Sequence, residues 1–264
     1  MSKQRRKPKP TRFYLRIRSR HPSHAVLRRN QNFLFPEKYL LRLGSTTEGS
    51  KIPESRTLNS IEAIQTSSNK LKMKAAFAKA KVTSPEFCSV GEIRNNIKKG
   101  TFKFPVLAKK VYGSKAKGMK LIENESQLKT FLSGNTSGYY FEQFYNYSRE
   151  YRLHVWDGGC FYTCRKLRRN DAKERYFFNS LNCVWILETN PSFNKPKTWD
   201  KIVKACIDAK NAVGLDIAAI DIRVNKKGDF VILETNSAPS LGEYGVKAYE
   251  ETLPKIIKHH ARNF

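Results

Sequence analysis

The sequence predicts an α+β fold in which antiparallel hairpins alternate with amphipathic helices. Two hairpin signals indicate antiparallel sheet: Asp157-Gly158 separates two runs with strand character, and residues 225–228 separate two apolar runs. The clearest helix is predicted over 199–213, where apolar residues recur at helical spacing and Gly214 follows at the position of a C-cap. Hairpin connections favour antiparallel over parallel pairing of the strands.

The other elements are assigned from periodicity and from turn and capping residues. Helices are predicted near 60–64, over 68–80 and over 125–132, with a short helix at the carboxyl end. A basic, proline-containing arm over 1–10 is expected to be disordered. Strands are predicted over 13–18, 38–43, 104–111, 119–122 and 139–145.

The charge of the chain indicates what kind of partner it attracts. Fifty Lys and Arg residues against 23 Asp and Glu give a formal net charge of +27 at pH 7. Such a field attracts polyanions, which include nucleic acid, an acidic protein tail and a nucleotide, and it does not distinguish among them. A solvated basic surface without such a partner is the alternative.

The cysteines and the hydropathy pattern exclude several classes of protein. The five cysteines have no regular spacing, which argues against a disulfide framework or a zinc site and for reduced thiols. The sequence contains neither a signal peptide nor a run of about 20 apolar residues that could span a membrane. We therefore expect a soluble cytoplasmic protein with no membrane partner.

The last predicted hairpin carries a candidate metal site. If 225–228 form its loop, Asp221 lies opposite Ile232 and Glu234 is its diagonal neighbour, whereas a longer loop would place the two carboxylates directly opposite. Asn236 shares their face because side chains alternate along a strand. Two carboxylates and an amide oxygen suit Mg²⁺ when phosphates complete the coordination. An exposed hairpin with unrelated polar residues is the alternative.

A lysine and a glycine-rich turn form a candidate phosphate site. Lys109 stands at the end of the predicted strand 104–111, where its ammonium could meet a phosphate. The turn from Gly113 through Ser114 to Gly118 would let backbone N–H groups approach phosphates. The glycine spacing matches half of a P-loop, but a predicted strand follows in place of a helix, so a P-loop is rejected. An ordinary hairpin is the alternative.

An aromatic-rich strand supplies a candidate nucleoside site. It ends in Glu142, Gln143 and Phe144, which could offer backbone groups to an adenine edge and an apolar wall to its face. Glu150 follows and could accept hydrogen bonds from both ribose hydroxyls. An ordinary surface strand is the alternative.

The order of these pieces resembles the ATP-grasp superfamily of carboxylate–amine ligases, which includes D-alanine–D-alanine ligase, glutathione synthetase and the ribosomal-protein glutamyl ligases. The resemblance covers about 59–241. It implies an ATP-grasp domain over 59–264, whose two α+β lobes (about 85–141 and about 142–245) grip ATP between antiparallel sheets. It also implies that 11–58 are a reduced version of the amino-terminal domain that often helps relatives to bind their first substrate.

The resemblance assigns roles residue by residue. Arg165 and Lys166 follow a strand where relatives place a cation near the γ-phosphate, and Arg152 and Arg223 are further candidates. All four could instead be ordinary exposed basic residues. The residues that match ATP contacts are Lys70, Lys109, Gly113, Ser114, Gly118, Glu142, Gln143, Phe144 and Glu150, and those that match magnesium ligands are Asp221, Glu234 and Asn236.

The implied chemistry is ATP-dependent ligation. A substrate carboxylate would attack the γ-phosphate of ATP to form an acyl-phosphate, from which an amine would then displace phosphate. The expected cofactors are ATP and Mg²⁺, for which Mn²⁺ could substitute, and the basic charge favours an acidic peptide or protein tail as substrate. The competing hypothesis is a nucleic-acid-associated binding protein on the same scaffold with weak or no catalysis, supported by aromatic residues among basic ones at 12–14 and 175–178.

Overall fold

The computed structural model describes residues 15–19, 21–29, 35, 37–114, 116–172, 182–188 and 193–261. The predicted arm over 1–10, the start of the first predicted strand and the aromatic residues at 12–14 and 175–178 lie outside these ranges. The helices are α1 (His24–Arg29), α2 (Ile61–Ser68), α3 (Lys70–Lys79), α4 (Ile93–Lys98), α5 (Glu125–Leu132), α6 (Trp199–Ala212) and α7 (Glu243–His260). The strands are β1 (Arg16–Ser19), β2 (Leu40–Leu43), β3 (Thr57–Leu58), β4 (Phe87–Ser89), β5 (Val106–Lys110), β6 (Lys120–Ile122), β7 (Tyr139–Gln143), β8 (Arg149–Trp156), β9 (Gly159–Arg168), β10 (Cys183–Leu187), β11 (Ala218–Val224) and β12 (Phe230–Asn236).

These strands form three sheets, and the two large ones are antiparallel, as predicted. One has the order β10-β9-β8-β11-β12 and the other the order β4-β7-β5-β6. The third, β1-β2-β3, is parallel and belongs to the amino-terminal region. The architecture is therefore α+β with one large sheet in each of two lobes, and the derivation of the parallel unit from a larger domain stays a prediction.

Each large sheet buries one face and leaves the other for a site. In the five-stranded sheet, Ile220, Ile222 and Val224 point into a core shared with α2, α3 and α6, as the strand pattern predicted. In the four-stranded sheet, Val106 and Phe141 pack with residues of α4 and α5. Because side chains alternate along a strand, the polar residues between these apolar ones face the opposite side.

The carboxyl-terminal helix is much longer than predicted. In place of a short helix, α7 spans Glu243–His260 and continues through Pro254. Its apolar stripe, which includes Tyr249 and Leu253, packs on the parallel sheet through residues such as Leu41. Tertiary packing therefore stabilises a helix whose length the isolated sequence did not indicate. Within the described ranges, none of the helices combines the length and the apolar character needed to cross a bilayer.

The register of the last hairpin differs from the one expected for a loop over 225–228. Val224 pairs with Phe230, so that the loop is 225–229, and Asn225 stabilises this loop by accepting the backbone N–H groups of Lys227 and Asp229, each at 2.9 Å. A bulge beyond Ile222 then shifts the pairing by one more residue. As a result Asp221 lies directly opposite Glu234, the arrangement predicted for a longer loop.

Asn59 joins the amino-terminal region to the large lobe. Its buried amide nitrogen donates to the carbonyl oxygens of Arg42 (3.1 Å) and Ile217 (3.0 Å). Its amide oxygen accepts the backbone N–H groups of Asp216 (2.9 Å) and Ile217 (3.1 Å). Its backbone is left-handed, with φ of 61°.

Replacing Asn59 with Ala is expected to lower the free energy of unfolding by about 3 kcal/mol, because buried carbonyl and amide groups lose their partners. Asn59→Gly should be less destabilising by about 1 kcal/mol, since glycine adopts a positive φ without the Cβ penalty. Urea denaturation followed by circular dichroism measures both variants. A loss below 1 kcal/mol in Asn59→Ala would contradict this account of the connection.

Candidate active site

Three neighbouring cavities lie along the polar faces of the two large sheets. The lysine cavity, of about 100 Å³, lies between the sheets and is lined by Lys70, Lys109, Glu142, Asp221 and Glu234, and by Gly113, Ser114, Ala116 and Lys117 of the glycine-rich turn. The aromatic cavity, of about 810 Å³, is lined by Phe104, Pro105, Gln143, Phe144 and Tyr147. The outer cavity, of about 640 Å³, is lined by His21, Gly44, Trp185, Asn236 and residues 237–240. Lys166 lines all three.

A buried carboxylate between two lysines forms the floor of the lysine cavity. The Glu142 side chain is 1 % exposed, and its Oε1 accepts from Lys109 Nζ at 2.9 Å. Its Oε2 lies 3.1 Å from the Nζ of the fully buried Lys74 and accepts from the Tyr140 hydroxyl at 3.3 Å. The strands place these groups together because β5 and β7 align Leu107 with Glu142 and Lys109 with Tyr140.

Burial and charge act on this group in opposite directions. Burial alone would raise the pKa of Glu142, but Lys109 and Lys74 together lower it to about 2. Burial lowers the pKa of Lys74, and the neighbouring ammonium of Lys109 lowers it further; Glu142 and Glu234 raise it without offsetting these effects. The carboxylate is therefore ionised at neutral pH, and Lys109 is held in place at the cavity.

On the opposite sheet, five side chains form one chain of ion pairs. Arg152 donates to Asp221 through Nε (2.6 Å) and Nη2 (2.8 Å). Lys166 Nζ donates to Asp221 Oδ2 at 2.9 Å and to Glu150 Oε1 at 2.7 Å. Arg223 Nε donates to Glu150 Oε2 at 2.9 Å, which completes the chain.

This chain lowers the pKa of both carboxylates. Burial would raise the pKa of Asp221, but Arg152 and Lys166 hold it well below its usual range; Lys166 and Arg223 likewise lower the pKa of Glu150 against the effect of burial. Counting both sheets, the site combines four carboxylates with six cations. An excess of positive charge in a partly enclosed site favours binding of an anion.

The glycine-rich turn and Lys70 close the lysine cavity. Lys70 is the first residue of α3, and its Nζ donates to the Gly113 carbonyl oxygen at 3.0 Å and lies 3.3 Å from Glu234 Oε2. Ser114 lines both the lysine and the outer cavity. Gly118 has φ of 73°, and a Cβ at this position would approach the Tyr139 hydroxyl to 3.2 Å. The turn therefore requires glycine where it folds back over the cavity.

Of the residues predicted to bind adenine and ribose, Gln143, Phe144 and Glu150 line the aromatic cavity, whereas Glu142 lines the lysine cavity. Gln143 uses its side-chain amide to bind Lys103, donating to its carbonyl oxygen and accepting from its N–H, each at 2.8 Å. The Arg223 guanidinium lies 4.0 Å from the ring centroid of Tyr147 and 5.6 Å from that of Phe144. Glu150 lines this cavity too, although Lys166 and Arg223 already engage its oxygens.

The outer cavity lies between the amino-terminal region and the segment after β12. His24, which is buried, donates from Nε2 to the Pro239 carbonyl oxygen at 2.8 Å, and burial lowers its pKa to about 4. Gly44 follows β2, and a Cβ there would come within 2.5 Å of Ala238 Cβ. These contacts place the end of β2 at the site, next to Asn236.

The predicted metal ligands are compatible with a hard cation. Asp221 and Glu234 face each other across β11 and β12, and Asn236 follows on the same face. The Asn236 Nδ2 atom is buried without a hydrogen-bond partner among the described residues, and an amide turned by 180° would present its oxygen there. No group of three or more His, Cys, Asp and Glu residues gathers around a cation site in the described ranges. The predicted metal ligands are two carboxylates and one amide. To bind a metal, Asp221 would have to release Arg152 or Lys166.

Gly118 lines none of these three cavities, and the other predicted site residue that lies outside them is Arg165. It lies on the opposite face of β9 from Lys166, where its Nε is 2.8 Å from Glu188 Oε1, and it lines none of the three cavities. The sequence could not decide between these neighbours because the register of β8 and β9 was not known.

The residues at the site that were not predicted include Lys74 and Trp185. Lys74 lies one turn after Lys70 on α3, and this i, i+4 spacing is the signal that could have identified it. Trp185 belongs to a segment that carried no clear pattern. Its ring centroid lies 4.6 Å from Arg152 Cζ and 5.0 Å from Lys166 Nζ.

Comparison with known proteins finds similarity in structure only. No family model matches the sequence, and no curated protein matches it. D-alanine–D-alanine ligase from Bacillus anthracis superposes with a TM-score of 0.63 at 16% sequence identity, over 85% of this chain and 80% of that chain. The ATP-grasp ligase PsnB in complex with its minimal precursor gives 0.54 at 15% identity, over 77% and 64%. N5-carboxyaminoimidazole ribonucleotide synthetase from Thermotoga maritima gives 0.57 at 17% identity, over 83% and 58%.

Proposed function

We propose that this chain, which has the ATP-grasp fold, is an ATP-dependent ligase that joins a carboxylate to an amine through an acyl-phosphate and releases ADP. The observation that carries the proposal is the position of Lys166. It lines all three cavities and bridges Glu150 and Asp221, so that a single cation stands where three bound groups would meet.

The cavities suggest how ATP would lie. Adenine would occupy the aromatic cavity between Phe144 and the backbone of Gln143, with its ribose near Glu150. The phosphates would extend into the lysine cavity, toward Lys70 and Lys109. D-alanine–D-alanine ligase from Bacillus anthracis, in a structure complexed with ATP, is similar to this chain at a TM-score of 0.61, which supports the binding of ATP.

The proposed reaction has two balanced steps. A substrate carboxylate oxygen attacks the γ-phosphorus and ADP leaves; the amine nitrogen then attacks the acyl carbon, phosphate leaves and the nitrogen loses a proton. Both transition states gather negative charge on oxygen, which cations held in place stabilise without reorganising. Lys166 is held in this way by Glu150, while Lys109 is held by Glu142.

The proposed metal site depends on the ion pairs that Asp221 forms. Mg²⁺ held by Asp221, Glu234 and Asn236 would neutralise phosphate charge, and Mn²⁺ could take its place. In the structure the cations of Arg152 and Lys166 occupy the Asp221 oxygens. Phosphates would attract these cations and so release carboxylate oxygens, which favours binding of the metal together with the nucleotide.

The test is Mg²⁺-dependent ADP release from ATP in the presence of a pool of amino acids and acidic peptides. We expect Glu234→Gln to lower pool-dependent turnover at least tenfold, because one carboxylate ligand is lost, whereas the ion pair of Glu234 with Lys70, at 3.3 Å, is partly exposed. Glu125→Gln, an exposed change at the start of α5, is the matched control. The absence of ATP binding by the wild-type protein would contradict the proposal.

The net charge of +27 favours an acidic peptide or protein tail as the carboxylate substrate, and it also favours a second candidate function. In that alternative the chain binds nucleic acid and catalyses weakly or not at all. Polynucleotide binding that falls steeply with salt, in a protein without pool-dependent ADP release, would support the alternative.

A further inference from the structure

Strand β10 forms one edge of the five-stranded sheet, and the direction of its backbone groups can be read from its neighbours. Asn182 accepts the Arg169 N–H at 2.9 Å, and Glu188 donates its N–H to Thr163 at 3.0 Å, so the even-numbered residues of this strand bond toward β9. Because backbone groups alternate in direction along an antiparallel strand, those of Trp185 and Leu187 point away from β9. Neither has a hydrogen-bond partner within the described part of the chain.

The side chains of this edge are unusually apolar for their exposure. Val184 is 45% exposed, Trp185 45% and Ile186 37%. Edge strands of native proteins usually carry charged residues or proline, which prevent pairing with another chain. An apolar edge strand whose backbone groups lack partners is suited to such pairing. Trp185 and the buried Cys183 also line the outer cavity, so β10 runs along the wall of the site.

We propose that the outer edge of β10 binds an extended, acidic polypeptide segment as an added strand and so presents a carboxylate of that segment to the outer cavity. The inference rests on the proposed ligase function and specifies its substrate class as a polypeptide. Strand addition uses backbone hydrogen bonds for affinity and alternate side chains for specificity. One face of the added strand would meet Trp185 above Arg152 and Lys166, and the other would meet Val184 and Ile186.

The charge around this edge is complementary to an acidic segment. Strand β9, which pairs with β10, carries Arg165, Lys166 and Arg168, and Arg169 follows it directly. Glu188 and Asp171 pair with Arg165 and Arg169, so the excess of positive charge comes from the neighbouring site and from the net charge of +27. The site beside it holds more cations than carboxylates. A segment that alternates apolar and acidic residues would place apolar side chains on one face and carboxylates on the other.

Binding can be tested without nucleotide, using fluorescently labelled 12-residue peptides that alternate Val with Glu. We expect fluorescence anisotropy to show binding, which N-methylation of every second backbone nitrogen should weaken at least tenfold by removing hydrogen-bond donors. Leu187→Pro should weaken binding to a similar extent, because its N–H points outward and proline is tolerated at such edge positions. Trp185→Ala should weaken it further, whereas Trp185→Phe should retain most of it.

Two outcomes would overturn the proposal: no binding of the alternating peptide to the wild-type protein, or equal binding of the N-methylated peptide. ATP binding, measured on every variant, shows whether Leu187→Pro remains folded. If that variant no longer binds ATP, comparison of the two peptides on the wild-type protein still decides the question. Peptide binding by a protein that does not turn over ATP would refute the ligase function while supporting the peptide edge, so the two failures are distinguishable.

Discussion

The Glu142→Gln variant is expected to lose about 3–5 kcal/mol of unfolding free energy, because the neutral amide leaves the Lys74 and Lys109 ammonium groups without their shared carboxylate. Most of the loss in stability comes from Lys74, because its side chain is fully buried and Glu142 is its only ion-pair partner within the described residues. Lys109 is 13% exposed and can turn toward solvent. Urea denaturation at neutral pH measures the loss.

The double variant Lys74→Met/Glu142→Gln is the matched control. Removing the buried ammonium together with the carboxylate leaves no unpaired buried charge, so most of the lost stability should return. A double variant no more stable than Glu142→Gln alone would show that the loss comes from packing and not from charge.

The stability difference between the wild-type protein and Glu142→Gln is expected to depend on pH. Because the pKa of Glu142 falls to about 2 in the folded protein, below the usual glutamate value of about 4.3, its ionised form contributes stability at higher pH. That contribution is lost as the pH falls from about 4.3 toward 2. The difference in stability between the wild-type protein and Glu142→Gln should therefore narrow over this range, and a constant difference would contradict the assigned pKa.

The sequence predicted the elements that depend on local signals. Asn69 caps α3 by accepting the N–H groups of Leu71 and Lys72, each at 3.1 Å, and Asp157-Gly158 forms the turn between β8 and β9. These signals lie within a few residues of the structure that they specify. They were enough to assign Lys109 to a strand before the glycine-rich turn, and Asp221 and Glu234 to one hairpin.

The sequence did not predict features that depend on contacts between distant segments. The bulge that aligns Asp221 with Glu234 could not be read from its own residues. The buried pair of Lys74 and Glu142 joins a helix to a sheet, so neither residue shows its partner locally. The length of α7 likewise depends on an amino-terminal sheet that is far away in the chain.

Lys166→Met is expected to lower the rate of ligation by about 10²–10³-fold, which is the usual effect of removing one electrostatic contact to a transition state. The protein should stay folded, because each carboxylate that Lys166 binds keeps another partner: Glu150 retains Arg223, and Asp221 retains Arg152. ATP binding should fall much less than turnover, since Lys70 and Lys109, the proposed phosphate contacts, are unchanged. Single-turnover kinetics with the substrate found in the ADP-release assay measures the rate.

Arg165→Met is the matched control for Lys166→Met, because the two residues are adjacent in β9 and the sequence favoured both. Arg165 pairs with Glu188 on the far face of the strand, so its loss should leave turnover within about threefold of wild type. If Arg165→Met lost activity while Lys166→Met retained it, the face of β9 that carries Arg165 would be the one that faces the site during catalysis. The opposite result would show that a single residue, set at the meeting point of three cavities by the register of β8 and β9, supplies the cation for the reaction.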